Sequence, residues 1–148
     1  MATTPDTAAP ETTAPATTDE QATPNTPFYK LGGHPTMQAI CNRFYDLMDS
    51  DPAYAELRAM HAPDLAKMKH SLAGFLAGWA GGPRDWFEEN PGKCMMSAHK
   101  PFVITPAVAA QWGDAMKRAI ADVAPQDAQL AQAMGGVLEE MAQGMVNG

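Results

Sequence analysis

Positive charge and clustered metal ligands are what this 148-residue chain has least of. Only 10 Lys and Arg stand against 17 Asp and Glu, for a net charge of −7. Four of the acids (Asp6, Glu11, Asp19, Glu20) and no base lie in the first 27 residues, leaving −3 of the −7 for the rest. No basic stripe forms, so nucleic-acid binding, which needs clustered Lys and Arg against phosphate, is disfavoured. No run of about 18 apolar residues exists, so no membrane-spanning helix is expected and the chain reads as soluble and cytoplasmic. The two cysteines, Cys41 and Cys94, form no CxxC, and no histidine lies at zinc-ligand spacing. Both read as free thiols that pack as small apolar groups, with Cys94, in a polar turn-like segment, the more reactive. GxSxG, Walker, GxGxxG and HExxH patterns are missing, which removes the commonest hydrolase, nucleotide and zinc-protease readings.

The first 27 residues also lack every long aliphatic or aromatic side chain beyond the initiating Met. They hold five of the 13 prolines among Ala and Thr. Such a segment cannot bury enough apolar surface to offset ordering, so residues 1–27 read as a disordered extension. With no basic n-region and no apolar h-region, they do not read as a secretory signal. Residues 28–148 read as one domain.

What is there is helical periodicity. Met37, Ile40, Cys41, Phe44, Tyr45 and Met48 recur at three- and four-residue steps. Asp51-Pro52 opens a short helix to about Met60, and Asp64 can cap the next, with Leu65, Met68, Leu72, Phe75 or Leu76, and Trp79 on one face. Gly81-Gly82-Pro83 ends it. Thr105-Pro106 starts a helix whose stripe is Ile104, Val108, Trp112, Met116 and Ile120, flanked by Ala109, Ala115 and Ala119. A last helix spans about Asp127 to Val146 through Leu130, Met134, Val137, Leu138 and Met141. No strand signal appears, so the fold class is all-α. Gly32-Gly33 reads as a chain reversal. Residues 84–104 carry no sustained period, and irregular segments of that length are often functional.

That irregular segment contains His99, in SAHKPF. It has no second histidine three or four residues away and no adjacent acid. Two readings stand: a surface histidine on a loop, or an iron ligand. Zinc would need three or four protein ligands, whereas haem iron needs one, because the porphyrin supplies four nitrogens. A haem would also need an apolar slot with a few polar groups. Tyr45 on an apolar helix face, Trp112 in mid-stripe and His61 after the short helix are available. Taken singly, Tyr45 and Trp112 read more readily as core aromatics, and His61 can equally be a surface histidine.

Together the positions resemble group II truncated haemoglobins. The elements are YKLGG (29–33), RFYDLM (43–48), APDLAKMKHSLAGFLAGWAGGP (62–83), HKPFVIT (99–105) and QWGDAMKRAI (111–120), in family order. The resemblance implies a truncated globin, a two-over-two helical sandwich around haem b (iron protoporphyrin IX), with His99 as the iron ligand. Tyr45, His61 and Trp112 match distal polar positions and count as potential hydrogen-bond donors. Met68 and Leu72 match distal positions on the long helix, and Phe102 a wall behind His99. Three positions depart from the family: Ala98 and Ser71 where a basic residue is common, and Trp86 where a tyrosine often stands. All three usually serve the haem propionates. Lys69, Arg84, Lys93 and Lys100 are the substitute candidates.

The implied ligands are O₂, NO, CO or peroxide. Donors around bound O₂ imply tight binding and slow release, which suits redox chemistry better than bulk oxygen transport. The resemblance points to NO dioxygenase or peroxidase-like activity with a reductase as partner, and it is compatible with a homodimer. The alternative is a haem-free helical module for protein interaction or sensing, suggested by the acidic extension and the Met-rich faces.

Overall fold

The computed structural model describes residues 25–92, 99, 101–123 and 125–148. The extension through residue 24 lies outside the described residues, as do Cys94, Ala98 and two of the propionate candidates, Lys93 and Lys100. The described elements are α1 (Pro27–Lys30), α2 (His34–Ser50), a 3-10 turn (Pro52–Tyr54), α3 (Ala55–Ala59), α4 (Ala66–Trp79), α5 (Asp85–Glu89), α6 (Pro106–Val123) and α7 (Ala128–Gly144). Among the described residues there is no strand, and no helix is long and apolar enough to cross a membrane.

Local chemistry sets the helix ends. The Asp51 carboxylate accepts from the Ala53 N–H at 2.9 Å and the Asp64 carboxylate from the Ala66 N–H at 2.9 Å. Thr105 Oγ1 takes the Val108 N–H at 3.1 Å, and Asp127 takes the Leu130 N–H at 3.0 Å. Each satisfies a donor that the first helical turn leaves open. The chain reversal before α2 needs glycine. Gly32 sits at φ +114°, and a Cβ there would meet the Thr36 side chain. At the end of α4, a Cβ on Gly82 would lie 2.6 Å from the Phe28 ring, so this glycine lets α1 seat on the turn.

The core is built where α2 packs on α4 and α6, and α6 on α7. This is the all-α two-over-two arrangement of α2 and α4 with α6 and α7. On α2, Met37, Ile40, Cys41, Phe44, Tyr45 and Met48 are all buried, as their spacing predicts. Each of the Met, Ile and Phe side chains among them contributes about 1.5–3 kcal/mol relative to exposure. Burial pushes the Cys41 thiol up to about 12, so the sulfur stays protonated. The α6 stripe also packs inward: Ile104, Val108, Met116 and Ile120 are buried and Trp112 is half-buried.

Two stripes differ from expectation. On α4 the inward face is Ala73, Leu76 and Ala77 with Phe75, while Met68 stays 41% exposed and Leu72 and Trp79 half-buried. On α7 the contact face is Ala131, Met134, Gly135 and Leu138, and Val137 is exposed. In both, small residues set the close-packed side. The helix advances about 100° per residue, so a neighbour such as Val137 turns outward.

A polar brace joins the 3-10 turn to α6. Tyr54 is buried, and its hydroxyl donates to the Asp114 carboxylate. Arg118 donates to the Tyr54 oxygen at 2.9 Å and to Asp51 at 2.8 Å. The Arg118 hydrogen bond, followed by that from Ala53, holds the Asp51 carboxyl below its usual range.

Candidate functional site

Three helices bring the expected polar side chains together. Phe44 and Tyr45 of α2 touch edge to face, ring centroids 4.9 Å apart, and Phe44 meets Trp112 of α6 at 5.3 Å. The Tyr45 ring lies 5.9 Å from the His61 imidazole, which follows α3. Residues 16, 51 and 67 positions apart in sequence thus share one corner of the molecule. His61 Nδ1 lies 2.9 Å from the Leu57 carbonyl, one turn back. Burial is the main force lowering the His61 pKa, with the charges of Arg58 and His99 adding to it against the Leu57 hydrogen bond.

Burial pushes the Tyr45 phenol well above its ordinary value, so it remains a neutral O–H. Tyr45 is 2% exposed, yet among the described residues its hydroxyl makes no hydrogen bond. A buried hydroxyl left this way is costly unless a ligand takes it.

His99 is helical in backbone and half-buried, and its carbonyl accepts the Phe102 N–H at 3.0 Å. Its ring stands 6.5 Å from that of Phe102. The segment after it is held from the other end of the chain. Asn147 Nδ2 donates to the Phe102 carbonyl at 2.9 Å, its Oδ1 accepts the Ile104 N–H at 2.7 Å, and its own N–H donates to the Ile104 carbonyl at 2.9 Å.

The arrangement fits a porphyrin iron. The apolar Met68 and Phe102, both expected at the site, are 41% and 47% exposed, the kind of surface a flat apolar ligand covers. Tyr45 supplies the unsatisfied polar hydrogen. Among the described residues no three His, Cys, Asp or Glu groups gather as a metal-binding cluster, so a single imidazole is the donor set that His99 offers.

The positions expected to hold propionates are less uniform. Trp86 Nε1 donates to Ser71 Oγ at 2.9 Å, so two of the three departures noted in the sequence bind each other. Trp86 also packs edge-on against Phe75 and Phe87. Arg84 stacks over the Phe87 ring at 4.4 Å, and Lys69 is half-buried on α4.

Sequence reasoning missed two residues that shape this site. Gln111, beside Trp112, accepts the Leu57 N–H at 3.0 Å and donates to Glu56 at 3.2 Å, fastening α3 to α6. Asn147 fastens the His99 side. The one signal for Gln111 is a polar residue next to the apolar stripe, and nothing in the spacing marks Asn147.

A family model described as "Bacterial-like globin" matches residues 26–147. Solved structures are similar over most of the chain. A cold-adapted truncated haemoglobin from Pseudoalteromonas haloplanktis TAC125 is 29% identical, with a TM-score of 0.80, covering 84% of this chain and 99% of its own. A group II 2-on-2 haemoglobin from Agrobacterium tumefaciens is 30% identical at a TM-score of 0.78, covering 82% and 94%. A truncated oxygen-avid haemoglobin from Bacillus subtilis is 28% identical at 0.73, covering 83% and 100%.

Proposed function

The chain belongs to the bacterial-like globin family, as a group II truncated globin, and on that premise we propose that it binds haem b through His99. Its ligands are O₂, NO, CO or peroxide, and its use is redox chemistry at the haem, as an NO dioxygenase or peroxidase-like protein, rather than bulk oxygen transport. The observation that supports this reading is the corner that gathers Tyr45, His61 and Trp112 around Phe44.

When bound, haem iron supplies the coordination position at which a small ligand is held. The chain's own residues do the rest. His99 offers an imidazole nitrogen to the metal. Met68, Leu72 and Phe102 give apolar cover that excludes water. The Tyr45 hydroxyl and the Trp112 indole N–H stand ready to donate to a ligand that carries partial negative charge. Lys69 and Arg84 are the described cations available to the propionates, since Trp86 is engaged with Ser71. Two good donors favour retention over release, which is the physical ground for preferring redox use to transport.

The test is the absorption spectrum of the ferric, ferrous and CO-bound forms, repeated for His99→Ala. An intense Soret band in the parent, with a five-coordinate ferrous form, and its loss in the variant are expected. A colourless protein that refuses added haemin overturns the reading.

A further inference from the structure

The Leu57 carbonyl oxygen has lone pairs and no hydrogen. The His61 nitrogen that lies 2.9 Å from it, Nδ1, must therefore carry the proton. A neutral imidazole has one N–H, so Nε2 is left as a bare lone pair. Burial favours that neutral form. Leu57 is itself held on its other side, where its N–H, in the preceding peptide, donates to Gln111 Oε1 at 3.0 Å. Gln111 is fixed in turn by donating to Glu56 at 3.2 Å. A single turn of α6 thus carries Trp112, a donor, and Gln111, which fastens the residue whose carbonyl faces His61.

We propose that His61 is the hydrogen-bond acceptor of this pocket, that Gln111 is the positioning residue that keeps it so, and that the pocket is matched to hydrogen peroxide. The inference rests on the globin reading and deepens it. O₂, NO and CO bring no proton and can use only donors. Hydrogen peroxide has two O–H groups as well as lone pairs. It can receive hydrogen bonds from Tyr45 and Trp112 while giving one to His61 Nε2. An imidazole of the opposite tautomer would add a third donor and leave the peroxide hydrogen without an acceptor.

The test uses the full-length chain carrying ¹⁵N-histidine, read by NMR in the haem-loaded, diamagnetic ferrous CO form and again without haem. The expected result is a His61 with protonated Nδ1 and unprotonated Nε2. Gln111→Met removes the acceptor for the Leu57 N–H and is expected to give a mixture of tautomers. Gln111→Glu combined with Glu56→Gln exchanges donor and acceptor between the two positions and is expected to restore the single form. In His61→Leu, the rate of reaction of the ferric protein with hydrogen peroxide is expected to fall about 10-fold, the loss of one hydrogen bond. A protonated Nε2 in the parent chain, a Gln111→Met spectrum like the parent's, or an unaltered peroxide rate in His61→Leu overturns the proposal. Failure of the globin reading shows separately, as a missing Soret band, and the tautomer remains readable in the haem-free chain.

Discussion

The corner that holds Tyr45, His61 and Trp112 and the segment that holds His99 are fastened in opposite ways. The first is cross-braced from within. Tyr54, Asp114 and Arg118 tie the 3-10 turn to α6, Gln111 ties α3 to α6, and Phe44 packs between Tyr45 and Trp112. The second depends on a residue near the end of the chain, Asn147, which grips Phe102 and Ile104. Its apolar side chains Phe102 and Val103 stand 47% and 68% exposed. The difference teaches where precision is needed. On the proposed reading, ligand polarity is read by groups fixed on packed helices, while His99 precedes a segment held chiefly by Asn147.

Substitutions on the two sides should therefore be felt in different measurements. The largest effect is expected at the braced corner. Trp112→Phe removes an N–H donor but keeps an aromatic ring. With about 1.5–3 kcal/mol for a hydrogen bond to a charged acceptor, O₂ release by the ferrous protein should speed about 10- to 100-fold. Stopped-flow release kinetics measure this, and an unchanged rate removes the Trp112 N–H from the ligand's surroundings.

On the His99 side, Asn147→Ala should leave O₂ release nearly unchanged. It removes both side-chain hydrogen bonds to the Phe102–Ile104 segment, at a cost of about 1–3 kcal/mol. The expected readouts are a lower melting temperature and faster haem transfer to an acceptor protein. Altered release kinetics with normal haem retention would erase the contrast between the two regions.

The smallest effect concerns acid. His61 has a folded pKa below its ordinary value of 6.5, so the unfolded chain binds its proton more readily. Its contribution to stability is present above about 6.5 and is lost as pH falls through the lower folded value. His61→Leu should flatten that part of the stability-against-pH curve in denaturant titrations. An identical acid slope in parent and variant would mean that the imidazole titrates as it does in water.

Much of the fold was legible because period and caps agreed. The α2 stripe, the α6 stripe and the caps at Asp51 and Thr105 stand where composition and spacing put them, Asp64 accepts the first N–H of α4 from one place before its cap position, and the last helix opens just past Asp127. Side chains on α4 and α7 were less legible, because Ala and Gly rather than the largest apolar residues decide which face packs closely. Met68 and Val137 were set inward by hydrophobicity and lie outward. For the site, the sequence brought to attention three polar residues that the fold gathers in one corner, but it could not give their hydrogen-bond sense. His61 counted as a donor on residue type, while its proton faces a backbone carbonyl that no side-chain pattern reveals. Likewise Ser71 and Trp86 stood out separately as departures, and only three dimensions join them.

Cys41 adds a consequence of a different kind. Its thiol lies at 0% exposure in the middle of α2, held protonated by burial. A small oxidant or an alkylating reagent can meet this sulfur only after the helices part. The rate at which Cys41 is modified is therefore a clock for opening of the core, independent of the pigment and readable on the same molecule.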